Sequence, residues 1–256
     1  MTKPRTLAEI IADTARQKLA AADARRNPNL AAEKPRDAIL AGLGIVAKAL
    51  AADGFAYTPS GPKLSRTAGD LTFTLSAQSD RNNIAGRRAA VWIHAAIYSR
   101  SLSKWRKHHD SPWIRPAAQF PIPIITTQLG YLSEAAAWLE WDFADAAKRD
   151  SVADQLLSLI RAGAYPLFET FERSQEAVSA LANLDLQSPE GILSYLLASG
   201  EPTLARQTLR DYLAARPRLG AEFDRCRRQF SQDGLPAYRS GIGHDLAAFA
   251  TATDLL

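Results

Sequence analysis

The chain has 256 residues, 46% hydrophobic and 23% charged, enough for one sizeable core or two modest ones. No stretch approaches roughly 18 consecutive apolar residues, and charges interrupt the apolar positions near the N-terminus; both argue against a membrane span or secretory leader and point to the cytosol of a bacterium-like cell. A lone Cys226 argues against a disulfide framework or a cysteine-rich zinc site, and the net charge of +4 divides unevenly: 19 Lys+Arg against 9 Asp+Glu in residues 1–120, 12 against 18 in residues 121–256. A basic half can attract nucleic acid or an acidic partner, or simply complement the acidic half of the same molecule.

Residues 6–26 read as a helix with a thin stripe of Leu7, Ile10, Ile11 and Leu19, followed by a linker between Pro28 and Pro35. Pro35 suits the first position of a second helix, in which Ile39, Leu43, Val46 and Leu50 recur at the spacing of a buried face. Gly54 is placed to end it in the left-handed conformation.

The period then changes to two. Phe55 and Tyr57 begin a short strand, Ser60-Gly61-Pro62 turns the chain, residues 63–67 form a second strand, and Ala68-Gly69-Asp70 turns it again. Leu71, Phe73 and Leu75 alternate with Thr72, Thr74 and Ser76, the pattern of a strand with one polar face. After a loop over 79–83, residues 89–99 form the longest strand, with Val91, Ile93 and Ile97 on one face and Trp92, His94 and Tyr98 on the other. Residues 122–129 and 137–143 supply two more strands. The short connections favour antiparallel pairing, because parallel crossovers need about a dozen residues or more.

Beyond about residue 150 the signals are helical. Leu156, Leu157 and Ile160 mark one helix, Phe168 and Phe171 after Pro166 another, Val178 and Leu181 a third. Ser188-Pro189 opens the next and Gly200 stops it. The helix after Pro202 carries Leu204, Ala205, Thr208, Leu209, Tyr212 and Leu213 and stops by Pro217; residues 219–230 and 244–253 add two more. Strands followed by a run of helices indicate an α+β fold: an antiparallel sheet of about five strands, flanked by N-terminal helices and followed by a helical C-terminal part. Residues 1–150 are expected to form the helix-plus-sheet domain, and 151–256 a helical part packed on the sheet.

The stretch from Pro35 to Asn83 resembles a bacterial family catalogued as domain of unknown function 4304. The resemblance rests on the amphipathic helix, Asp53-Gly54-Phe55, Ser60-Gly61, Leu64-Ser65-Arg66, Asp70-Leu71-Thr72-Phe73 and Gln78-Ser79, and extends over residues 35–180. It implies an antiparallel sheet with flanking helices and carries over no residue roles.

Five patterns could bear function. Gly42-Leu43-Gly44-Ile45-Val46-Ala47 matches the G-x-G-x-x-A dinucleotide fingerprint, but the helical stripe runs through both glycines, which points to close helix packing instead. Arg100–Arg115 is the densest basic and aromatic run: Arg100, Lys104, Arg106, Lys107 and Arg115 could neutralise phosphates, and Trp105 and Trp113 could stack on bases, cover a partner or dock onto the core. His108-His109-Asp110, joined by His94, invites a metal reading that the sequence does not place in space. The face bearing Trp92, His94 and Tyr98 pairs with the Thr72, Thr74, Ser76 and Gln78 face; uncovered it is a binding platform, and helices are expected to cover it. Glu140 and Asp142, with Lys148 beyond, faintly resemble the acidic pair and lysine of a metal-dependent nuclease.

The expected function is recognition of another macromolecule, a protein, by a chain that is not an enzyme, in an accessory, immunity or defence role. The binding residues are expected among Trp92, His94, Tyr98, Arg100, Lys104, Trp105, Arg106, Lys107, Trp113 and Arg115. Nucleic-acid binding through residues 100–115 and metal-dependent hydrolysis are the alternatives. No cofactor is expected.

Overall fold

The computed structural model describes residues 32–109, 111–114, 121–184 and 188–255. The expected helix over 6–26, and with it Asp110 and Arg115, lie outside the described residues. The first described helix, α1 (Pro35–Leu50), starts with proline in its first turn and buries Ile39, Leu43, Val46 and Leu50. A single tight turn, Ala51–Asp53, follows, and Gly54 closes it at φ 84°, returning its N–H to the Ala51 carbonyl. This is the left-handed cap that glycine adopts without a Cβ penalty.

The sheet is antiparallel throughout. Its strands are β1 (Ala56–Thr58), β2 (Lys63–Ala68), β3 (Leu71–Ser79), β4 (Ala90–Ser99), β5 (Ile125–Gln128) and β6 (Trp141–Asp142), in the order β1-β2-β3-β4-β5, with β6 pairing beside β5 on β4. The two late strands are much shorter than the expected 122–129 and 137–143. After Gln128 the chain tightens into the turn Leu129–Leu132 and then irregular loop, leaving only Trp141–Asp142 to regain the ladder.

The pleat sorts the side chains. Register sets Phe73 opposite Ile97, Leu75 opposite Ala95 and Leu64 opposite Leu75, so one face is apolar. Against it lie α1 and the long helix of the C-terminal half that runs from Arg149 to Arg173. A void of about 10 Å³ is all that remains between Leu43, Val46, Leu64, Leu75, Ile93 and Ile160. Arg66 also lies on this face, its guanidinium 5.1 Å from the Phe73 ring and 3.0 Å from the Glu172 carboxylate.

The helical part begins after α2 (Arg100–Lys107) and the late strands. It comprises α3 (Arg149–Leu159), α4 (Tyr165–Arg173), α5 (Gln175–Ala180), α6 (Glu190–Ala198), α7 (Pro202–Ala214), α8 (Pro217–Asp233) and α9 (Ile242–Ala252). Instead of breaking at Pro166, α3 continues into α4 through one wide π-turn, Ile160–Ala164. Such a turn absorbs the hydrogen bond that proline cannot donate. Pro217, expected as a stop, occupies the first turn of α8. Tyr165 on α4 donates a 2.6 Å hydrogen bond to Asp53 in the turn after α1, and Phe168 meets Phe73 at 4.8 Å, so the helical half and the sheet share one continuous hydrophobic cluster. No helix of the described residues is long and apolar enough to cross a membrane.

Candidate functional site

The polar face of the sheet has two differently furnished ends. Register sets Thr72 opposite Tyr98, Ser76 opposite His94 and Gln78 opposite Trp92, as the alternation predicts. Thr74 and Ala96 fill the middle and are 5% and 4% exposed. The expectation that helices cover the whole face does not describe its ends: an open groove lies over Tyr98, and a tryptophan ring lies over Trp92 and His94.

The groove exists because β4 runs directly into α2. Ser99 caps the helix, its Oγ accepting from Leu102 N at 2.9 Å. Asp70, in the turn before β3, fixes the junction by accepting from Ser99 Oγ at 2.5 Å and from Ser101 N and Oγ at 2.9 and 2.8 Å. Burial alone would raise the Asp70 carboxyl; the hydrogen bonds from both serines and the nearby Arg100 charge outweigh it and hold the group below the usual carboxylate range. Arg100 itself donates to the Gly69 carbonyl at 2.6 Å. From this anchor, Arg100, Ser103, Lys104 and Lys107 fall on one side of the helix at spacings of three, one and three. They overhang Thr72, Thr74 and Tyr98, and Lys63 stands across from them. Together they bound a groove of about 700 Å³ whose wall contains no acidic side chain among the described residues.

At the other end Trp138 sits against β4, its ring 5.3 Å from Trp92 and 6.1 Å from His94, with Tyr131 6.3 Å beyond. The rings meet at 69° to 72°, edge to face. Trp138, Tyr131 and Leu139 are 48%, 45% and 36% exposed, an apolar projection at the rim of the sheet. Gly130 makes it possible: a side chain there would strike the Ala137 carbonyl and stop the loop from folding back. Trp92 Nε1 and His94 Nε2 are buried beneath without hydrogen-bond partners among the described residues. Burial pushes the His94 imidazole below its ordinary value. Sequence reasoning missed Trp138 and Tyr131. The available signal was two aromatics near a glycine, masked by reading residues 137–143 as strand.

The remaining expected binding residues part company. Trp105 is half-buried, packed at 4.2 Å on the His109 ring. Arg106 turns away from the groove and donates to the Ile122 carbonyl at 3.0 Å. Trp113 is 5% exposed and donates to the Pro236 carbonyl at 3.1 Å, a core residue. His108 and His109 bond back to the carbonyls of Lys104 and Trp105 at 2.7 and 2.8 Å, finishing α2. No group of three or more His, Cys, Asp or Glu side chains among the described residues is arranged to hold a metal ion.

Glu140 and Asp142 are engaged structurally. Both Glu140 oxygens accept from Arg88 at 2.9 Å, and Asp142 accepts from the Ala89 and Ala144 amides at 2.8 and 3.0 Å. Lys148 pairs with Asp145 at 3.0 Å instead of reaching them. The Gly42–Ala47 run lies inside α1, with no helix N-terminus at hand for a pyrophosphate.

In comparisons with protein-family models, curated proteins and solved structures, the chain matches none.

Proposed function

We propose that this chain is a binding protein without catalytic activity of its own, and that it takes another protein across the polar face of the sheet. The observation that carries this reading is the groove at the Tyr98 end, where Lys63, Arg100, Lys104 and Lys107 surround about 700 Å³ free of acidic side chains among the described residues. A cleft lined by one sign of charge concentrates and steers an oppositely charged segment. Six residues along the same strand, roughly 20 Å away, Trp138, Tyr131 and Leu139 offer the large apolar contacts on which protein interfaces anchor. A partner presenting an acidic stretch beside an apolar one would match both ends at once. We extend the proposal to an accessory, immunity or defence role in a bacterium, which rests on the short motifs shared with domain of unknown function 4304 and not on any family-model match.

Single-stranded nucleic acid is the second reading, favoured by the four cations beside Tyr98. Against it, the Trp92, Trp138 and Tyr131 rings meet one another edge to face and form no parallel stack for successive bases to continue. Affinity purification from the native host, repeated with nuclease treatment, tests the proposal. A protein partner retained after nuclease treatment supports it. Recovery of the chain alone under all conditions counts against it. A low-salt titration with single- and double-stranded oligonucleotides tests the second reading: binding that weakens steeply with salt would transfer the assignment to nucleic acid.

A further inference from the structure

The groove over Tyr98 is lined with accessible donors that have nothing to bind. Thr72 and Tyr98 stand opposite each other in the register and are half-buried; their hydroxyls keep accessible surface and have no hydrogen-bond partner among the described residues. The neighbouring hydroxyls are engaged, Thr74 donating to the Ala96 carbonyl and Ser103 to the Ser99 carbonyl. Lys63 and Lys104 face each other from opposite walls, both exposed, and neither forms an ion pair among the described residues. Residues 115–120, which lead into the groove wall at Pro121, contain no acid.

The helix sharpens the demand for negative charge. Arg100, Lys104 and Lys107 follow one another at spacings of four and three along one side of α2, where like charges repel. Asp70 lies near Arg100, its oxygens held by Ser99 and Ser101, and leaves the lysines uncompensated. A carboxylate would bring one charge and two oxygens. A phosphorylated side chain brings a charge of about −1.5 to −2 at pH 7 and three strong acceptor oxygens, enough for donors converging from two walls. Lysine suits such a group, as a point charge on a flexible stem. At about 30 Å³ per water-sized volume, the five heavy atoms of a phosphoryl group take about 150 Å³ of the roughly 700 Å³, and the remainder admits the residues that flank it.

We infer that the groove takes a phosphorylated serine or threonine of the partner protein, its phosphoryl oxygens accepting from Lys63, Lys104 and the Thr72 and Tyr98 hydroxyls. The inference rests on the protein-partner reading above and narrows it: recognition at this end of the sheet is switched on by phosphorylation of the partner.

Ligand-observed NMR of the full chain at low ionic strength tests it, with short peptides identical but for a central serine, phosphoserine or glutamate, and with inorganic phosphate. The phosphoserine peptide should bind with a dissociation constant on the order of 1 mM, the glutamate peptide about tenfold more weakly, and the serine peptide more weakly still. Inorganic phosphate, without flanking residues, should also bind about tenfold more weakly. Lys63→Gln and Lys104→Gln should each weaken the phosphoserine peptide about fivefold and Thr72→Val about threefold, with thermal melting to verify folding. Arg225→Gln, at an exposed cation of α8, should leave it unchanged. No binding of the phosphoserine peptide, equal binding of inorganic phosphate, unchanged affinity in folded Lys63→Gln and Lys104→Gln, or an equal loss in Arg225→Gln would overturn the inference. So would a glutamate peptide that binds as tightly as the phosphoserine peptide, an outcome that leaves the acidic-partner reading standing; affinity capture from the native host judges that reading separately.

Discussion

The Gln128 carboxamide clamps the main chain at Leu139: Nε2 donates to the Leu139 carbonyl at 2.5 Å while Oε1 accepts from the Gly130 amide at 2.7 Å. Gln128 is 3% exposed, at the end of β5, so a sheet residue fixes the loop that carries Trp138 and Leu139. Gln128→Ala would leave both backbone groups without that partner, and a loss of about 1–3 kcal/mol in urea denaturation is expected. The apolar projection should loosen with it, and quenching of tryptophan fluorescence by acrylamide should rise.

The Phe143 ring occupies the space that a side chain on Gly42 would need, and that ring is fully buried. Gly42→Ala should destabilise by about 1–3 kcal/mol through overpacking, a penalty that outweighs the helix-propensity gain of about 1 kcal/mol. Gly44 has nothing within 4 Å of an added Cβ, so Gly44→Ala should stabilise by up to about 1 kcal/mol. Chemical denaturation of the two variants checks the sign of each. Opposite signs support packing against Phe143 as the reason for Gly42 and show that packing is not the reason for Gly44.

His94 gives a pH dependence. Burial lowers its folded-state pKa below the ordinary 6.5, so the unfolded chain binds a proton first as pH falls. Its contribution to stability is present above about pH 6.5 and is lost progressively on going below it. His94→Gln should remove that component. The difference between wild-type and variant melting temperatures, followed from pH 7.5 down to about 5, should change across this window; a flat difference would contradict the buried, unpartnered imidazole.

Arg88 joins two carboxylates, Asp80 at 2.8 Å and Glu140 at 2.9 Å. The Asp80 side chain is 6% exposed, that of Glu140 43%. Arg88→Ala should cost about 1–3 kcal/mol by leaving the buried partner short of a donor, whereas Glu140→Ala should cost less than about 1 kcal/mol, as exposed pairs do. Thermal unfolding of both variants checks the ranking.

Much of the scaffold was readable because its signals are periodic. Thr72 and Thr74 alternating with Phe73 and Leu75 describe β3, and Trp92, His94 and Tyr98 share a face opposite Val91, Ile93 and Ile97 as the alternation requires. The two-residue β6 was not readable at its true length, because Leu139 to Phe143 looks like a strand although β4 leaves it only two partners. The basic run from Arg100 reads as one cluster, yet a helix turns each residue roughly 100° from the one before, so the run is divided between two sides. Lys107 therefore reaches the groove while Arg106 turns away to the Ile122 carbonyl. Trp113 looked available and is core, since its partner Pro236 lies 123 residues away, beyond any local pattern. Trp138 gains its place only through Gly130 and Gln128, contacts that no spacing rule announces.

The most direct test of partner recognition is quantitative affinity capture from the native host with the wild-type chain and the charge-reversed pair Lys104→Glu and Lys107→Glu, after nuclease treatment and with both proteins verified as folded. Both lysines are exposed on the groove wall, so the substitutions should leave stability nearly unchanged. The account predicts a protein partner enriched by the wild type and reduced at least about tenfold with the variant. Equal recovery of the same partner by both chains would contradict it.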